Sequence, residues 1–83
     1  MNLVILTPDK EMFHGKVTSV NVPAIGGRFE VLNGHAPIVA ALGEGDVRFQ
    51  VEKGEKRTIN IEQGFIEVLR DEVSLLVSGV KEK

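Results

Sequence analysis

Gly26-Gly27-Arg28-Phe29-Glu30-Val31-Leu32-Asn33-Gly34-His35-Ala36-Pro37-Ile38-Val39-Ala40-Ala41-Leu42 packs much of the chain's structural information into one segment. It holds a glycine pair, a short apolar run, an Asn-Gly turn, a histidine, a proline and a second apolar run. Pro37 and the Asn33-Gly34 pair cut any helix over residues 31–42 into fragments. What remains is two strands joined by a shaped loop. The segment holds no set of groups that looks catalytic, which points to a docking surface.

Working outward, turn formers recur at short spacing: Pro8-Asp9, Gly15, Pro23, Gly43, Gly45, Gly54, Gly64, Asp71 and Gly79. The runs between them are rich in Val, Ile, Phe and Thr and too short for most helices. Short β-prone runs at even spacing predict an all-β sandwich or barrel. Val47, Phe49 and Val51 alternate with Asp46, Arg48, Gln50 and Glu52, so one face of that strand is apolar and the other polar. Residues 52–56 read as a hairpin tip, with Ile59 and Ile61 on the return strand. Residues 65–69 and 73–77 read as two more strands, joined tightly through Arg70-Asp71-Glu72. Residues 3–6 and 38–42 are apolar at consecutive positions, as in strands covered on both sides. A wrapped edge within the domain and a face completed by a partner both satisfy that pattern. The tail from Val80 to Lys83 is charged and reads as frayed.

Eighty-three residues make a single domain, 1–83, and a chain this short has little core to spare. There is no cysteine, which excludes a disulfide scaffold, a thiolate metal site and a thiol nucleophile. Net charge is -2 with the signs interspersed. That pattern, without stacking aromatics, argues against nucleic acid as a partner. No apolar run reaches the roughly 18 residues of a bilayer span, so no direct membrane insertion is expected.

The chemistry-bearing residues are few. His14 and His35 are the only histidines, and a metal would need the fold to join them and add a carboxylate. His14 reads as a turn residue with its ring in water. His35 reads either as a turn histidine bonded to main chain or as a contact residue on its loop. No serine has a nucleophile-elbow context. Glu44 and Asp46 read as solvated charge, and Gly26-Gly27 as a glycine pair permitting close backbone approach. The expected cofactor set is therefore none. Lys10, in Pro8-Asp9-Lys10-Glu11, leaves one alternative open: the modified lysine of a lipoyl- or biotinyl-type carrier domain, which is also an acidic β-sandwich of about this length.

Three stretches carry a wider resemblance: residues 3–15, with Thr7-Pro8 and Phe13-His14-Gly15; residues 20–37, ending in Gly34-His35-Ala36-Pro37; and Gly45-Asp46-Val47-Arg48 with Gly64-Phe65-Ile66-Glu67-Val68. Together the chain resembles the N-terminal β-sandwich of the ε subunit of F-type ATP synthases over residues 1–79. The resemblance implies a flattened sandwich of two antiparallel sheets with about ten short strands. It implies a non-catalytic central-stalk subunit that couples rotation of the c ring to the γ subunit, held peripherally at the cytoplasmic face of the inner (plasma) membrane. Carried over by position, Thr7, His35 and Ala40 are expected on the γ-facing side. Ile25, Gly26, Gly27 and Arg28 are expected to meet the c ring. Two residues depart from the family's pattern: Asn33 stands where proline is common, and Arg28 where some relatives carry an acid. Longer relatives continue into a helical hairpin that inhibits ATP hydrolysis and in some binds ATP. A chain ending at Lys83 is expected to lack both properties.

Overall fold

The alternation of residues 47–51 becomes an amphipathic strand, and its neighbours repeat the pattern until two layers face each other. In a computed structural model describing residues 1–82, nine strands follow one another along the chain. They are β1 (Asn2–Leu6), β2 (Glu11–Val22), β3 (Phe29–Leu32), β4 (Ile38–Leu42), β5 (Gly45–Val51), β6 (Lys56–Ile61), β7 (Gln63–Leu69), β8 (Glu72–Ser78) and β9 (Lys81–Glu82). The β-sandwich expectation holds, with nine strands against about ten. Among the described residues there is no helix, so none is long and apolar enough to cross a membrane.

The first sheet runs β4-β7-β8-β1-β2 and the second β3-β2-β5-β6-β9. The twelve-residue β2 serves both, pairing with β1 through its first half and with β5 and β3 through its second. An irregularity between Val17 and Ser19 marks the bend where it changes sheets. One pair departs from an all-antiparallel sandwich: β1 lies parallel to β8, Leu3 beside Val73 and Ile5 beside Leu75. Ala24 bridges to Leu42 on the opposite side, tying the second sheet's 23–25 segment to the edge of the first.

The core between the layers is aliphatic, built on Leu3, Ile5, Val20, Val31, Ile61, Ile66 and Leu75, all at most 1% exposed. Phe13 and Phe49 close one part of it with ring centroids 4.8 Å apart, and the Arg57 guanidinium lies 5.4 Å from the Phe13 ring centre. No polar side chain is buried among the described residues.

Three local expectations change. Gly15 and His14 lie inside β2, not in a turn, opposite Leu3 and Val4, because the ladder to β1 runs through them. Gly64 lies inside β7 between Leu42 and Val77. The tail is not frayed at Lys81 and Glu82, which pair with Asn60 and Ile59 and shield part of the β6 edge. Lys83 lies outside the described residues.

Candidate functional site: an uncovered apolar sheet face

Cross-strand register decides which side chains of the first sheet point outward. Directly paired residues share a face. Ala41 pairs with Phe65, Phe65 with Leu76, and Leu76 with Leu6. These four form one continuous apolar row across four strands, on the side away from the core. Phe65 is 57% and Leu76 53% exposed. In the next row Val39, 70% exposed, pairs with Glu67, followed by Ser74 and Val4. Beside the first row runs a shallow groove of about 530 Å³, lined by Leu6, Thr7, Pro8, Ile25, Ala41, Phe65 and Leu76 among others. Contiguous exposed apolar surface of this kind marks candidate interaction sites.

The expected contact residues are placed unequally. Thr7 lines the groove, but its hydroxyl builds the β1–β2 turn: Oγ1 accepts from Asp9 N at 3.3 Å and from Lys10 N at 3.1 Å. Ala40 shares the inner face with its partner Ile66, which is fully buried, and packs against the core. The outward positions on that strand are Val39 and Ala41. His35 lies in the β3–β4 loop. Its main-chain N donates to Leu32 O at 3.1 Å, its Nδ1 donates to Ala36 O at 2.6 Å, and its ring stacks on Phe29 with centroids 6.2 Å apart. This is the geometry of a main-chain-bonded turn histidine, and nothing in it opposes the contact role expected of His35. The structure therefore brings Thr7 to the groove and leaves Ala40 beneath the sheet.

Ile25, Gly26, Gly27 and Arg28 form a loop at one end of the sandwich. Ile25 is 73% exposed and lines the same groove as Thr7 and Ala41, so the two expected contact sets meet at this side chain. The residues missing from the sequence-based set are Leu6, Val39, Phe65 and Leu76. Adjacent apolar pairs, Phe65-Ile66, Val68-Leu69 and Leu75-Leu76, were the signal, since one member of each must face out of a strand with period two.

Register makes neighbouring residues respond oppositely to charge. Ala40→Asp puts a carboxylate against the core and is expected to cost about 1–3 kcal/mol. Val39→Asp points into water, where it gives up strand propensity and faces Glu67, and is expected to cost less than about 1 kcal/mol. Urea midpoints of the two variants check this. A lower midpoint for Val39→Asp than for Ala40→Asp means that β4 is turned over.

No group of three or more histidine, aspartate or glutamate side chains suited to a metal exists among the described residues. His14 stands 3.7 Å from Glu11, with a side chain 65% exposed. Asp46 accepts from Asn60 Nδ2 at 3.0 Å and lies 3.6 Å from Arg48, so it is held within β5–β6 and is not loose charge.

The family described as "ATP synthase, Delta/Epsilon chain, beta-sandwich domain" matches residues 1–83. The chain is 42% identical over 78 residues to the ATP synthase epsilon chain of Chlorobium limicola, covering 94% of this chain and 89% of that one. It is 43% identical over 76 residues to the epsilon chain of Solibacter usitatus, covering 92% of this chain but 56% of that one. Its fold is similar to a chain in the cryo-EM structure of the Euglena gracilis mitochondrial ATP synthase (OSCP/F1/c-ring), with a TM-score of 0.90, 23% identity, and coverage of 96% of this chain and 51% of the other. A chain of the Tetrahymena thermophila central stalk and c-ring structure gives 0.80 and 16%, with coverage of 99% and 66%. These matches favour the stalk reading over a lipoyl or biotinyl carrier built on Lys10. A sandwich with this strand order, carrying Gly34-His35-Ala36-Pro37 between β3 and β4 and matched over its whole length, belongs to the ATP synthase delta/epsilon-chain β-sandwich family.

Proposed function

We propose that this domain is a coupling element of the central stalk in an F-type proton-translocating ATP synthase. It docks on the γ subunit with the outer face of the first sheet and meets the c ring with the 25–28 loop. Torque generated at the ring passes through the domain to γ. The task calls for a stiff body with two fitted surfaces and no reaction centre, so the domain contributes no catalysis of its own. It sits peripherally at the cytoplasmic face of the inner membrane, held there by its partners.

The apolar row Leu6–Leu76–Phe65–Ala41 is the observation that carries this reading. A folded domain with a sealed aliphatic core gains nothing from exposing it, whereas an interface centre is built from such side chains. His35 and Thr7 contribute by shaping the loops at the rim, and Ala40 by supporting the sheet from beneath.

The test is co-expression with a tagged γ subunit, followed by co-purification and titration of the isolated partners. A one-to-one complex is the expected result. Failure of the chain to bind γ, with the domain folded by circular dichroism, would falsify the assignment.

A further inference from the structure

Position 28 is where the sequence reading puts a charge against the ring, yet the guanidinium folds back onto its own domain. Arg28 Nη1 donates to Asn21 Oδ1 at 2.6 Å and to Asp46 O at 2.8 Å. The acceptors belong to β2 and β5, neighbours in the second sheet. Room for the guanidinium exists at Gly45. A Cβ there would stand 3.3 Å from Arg28 Nη2 and 3.0 Å from Pro23 Cβ, on a backbone with φ of +151°. This gives a physical reason for the Gly45-Asp46 part of the sequence signature: the glycine clears space and the next carbonyl receives the arginine.

On its other side the loop is tied to the first sheet. Ile25 N donates to Ala41 O at 2.9 Å, Gly43 N to Pro23 O at 2.9 Å, and Gly27 N closes the turn on Ala24 O at 3.0 Å. The loop thus bridges both layers. Outward it shows the Ile25 side chain, the main chain of Gly26 and Gly27, where an added Cβ would meet nothing within 4 Å, and the exposed flank of Arg28, whose Nη1 is already engaged by its own domain.

We propose that Arg28 is a positioning residue that locks the 25–28 loop onto the second sheet, and that the loop meets its partner through Ile25 and the glycine main chain, not through charge. The proposal rests on the reading of this loop as the ring contact. The surface so formed lets a polar loop of the ring approach the bare backbone of Gly26 and Gly27. Both bonds leave the one nitrogen Nη1; lysine does not replace it, because its ammonium sits one bond nearer the main chain and lacks the rigid plane that aims both N–H groups.

Two measurements test it. In the isolated full chain, amide hydrogen exchange at Gly27 is expected to speed up about three- to tenfold in Arg28→Gln, Arg28→Lys and Asn21→Ala. The amides of Val31 and Val47 serve as unchanged references. A Gly27 rate unaltered in Arg28→Gln overturns the lock. In the assembled ATP synthase, proton pumping per ATP hydrolysed is expected to fall alike in Arg28→Gln and Arg28→Lys. Full coupling in Arg28→Lys with loss in Arg28→Gln assigns a direct charge contact and overturns the proposal. Should the unaltered chain fail to join γ and the ring, the stalk reading falls, while the exchange experiment still decides the lock.

Discussion

Phe65→Glu is expected to leave the domain folded and, on the proposed function, to weaken its binding to γ strongly. The ring stands outward on β7 between Ala41 and Leu76, so glutamate there keeps its charge in water when the domain is free. Stability is expected to change by less than about 1 kcal/mol, the scale of strand propensity on a solvent face. In the complex the same carboxylate is pressed into an apolar contact without a partner. Loss of a central aromatic anchor alone costs about 2–4 kcal/mol, or roughly 30-fold to 1,000-fold in affinity, and burying the charge makes the fall larger. Leu76→Glu is expected to behave alike. The double variant should lose less than the sum, because the two side chains are direct cross-strand neighbours. Calorimetric titration with γ, alongside denaturant midpoints, measures both halves. Wild-type affinity in Phe65→Glu removes this face from the interface.

The second large effect is on the fold itself. Gly64→Val is expected to prevent folding, and Gly64→Ala to cost about 2–4 kcal/mol. A Cβ at position 64 would lie 2.5 Å from Leu76 O, 2.8 Å from Val77 Cγ1 and 3.0 Å from Val77 Cα. Two of these atoms are main chain of β8, which is hydrogen-bonded to β7 on one side and β1 on the other. The strand therefore cannot retreat without breaking a ladder. A domain of this size has only roughly 4–12 kcal/mol in total, so the alanine variant loses a large fraction of it. Circular dichroism and urea denaturation read the outcome. A Gly64→Val protein with the wild-type midpoint would show that β7 and β8 are not held this closely.

Together these variants separate the two demands on the chain. One face of the first sheet is sealed against the second, and the other is left exposed, where the proposed function seats γ. Phe65 and Gly64 are adjacent in sequence and serve opposite faces. For that reason a substitution survey read without register would score the segment as uniformly sensitive and miss its division of labour.

The hairpin of β5 and β6 was legible from residues alone: Val47, Phe49 and Val51 alternate with polar neighbours, and the Glu52–Lys56 tip is polar and holds a glycine. The same holds for the tight turn at Arg70-Asp71. Gly34-His35-Ala36-Pro37, with its flanking strands, was enough for the family resemblance. In each case the signal is local, because side-chain period and turn chemistry act within a few residues.

The facing of β4 was not legible. Ile38-Val39-Ala40-Ala41-Leu42 contains no polar residue to mark an outward side, so nothing in the run distinguishes Ala40 from Val39. Pairing with β7 settles it by placing Ala40 beside Ile66 and Val39 beside Glu67. The parallel contact of β1 with β8 joins residues about seventy positions apart, and the Nη1 bonds of Arg28 join a loop to two strands. Sequence alone determined that the chain makes short amphipathic strands with fixed turns, since those follow from covalent neighbours. Tertiary structure decided which apolar side stays open and where the arginine goes, since both depend on partners that only the folded sheets bring within reach.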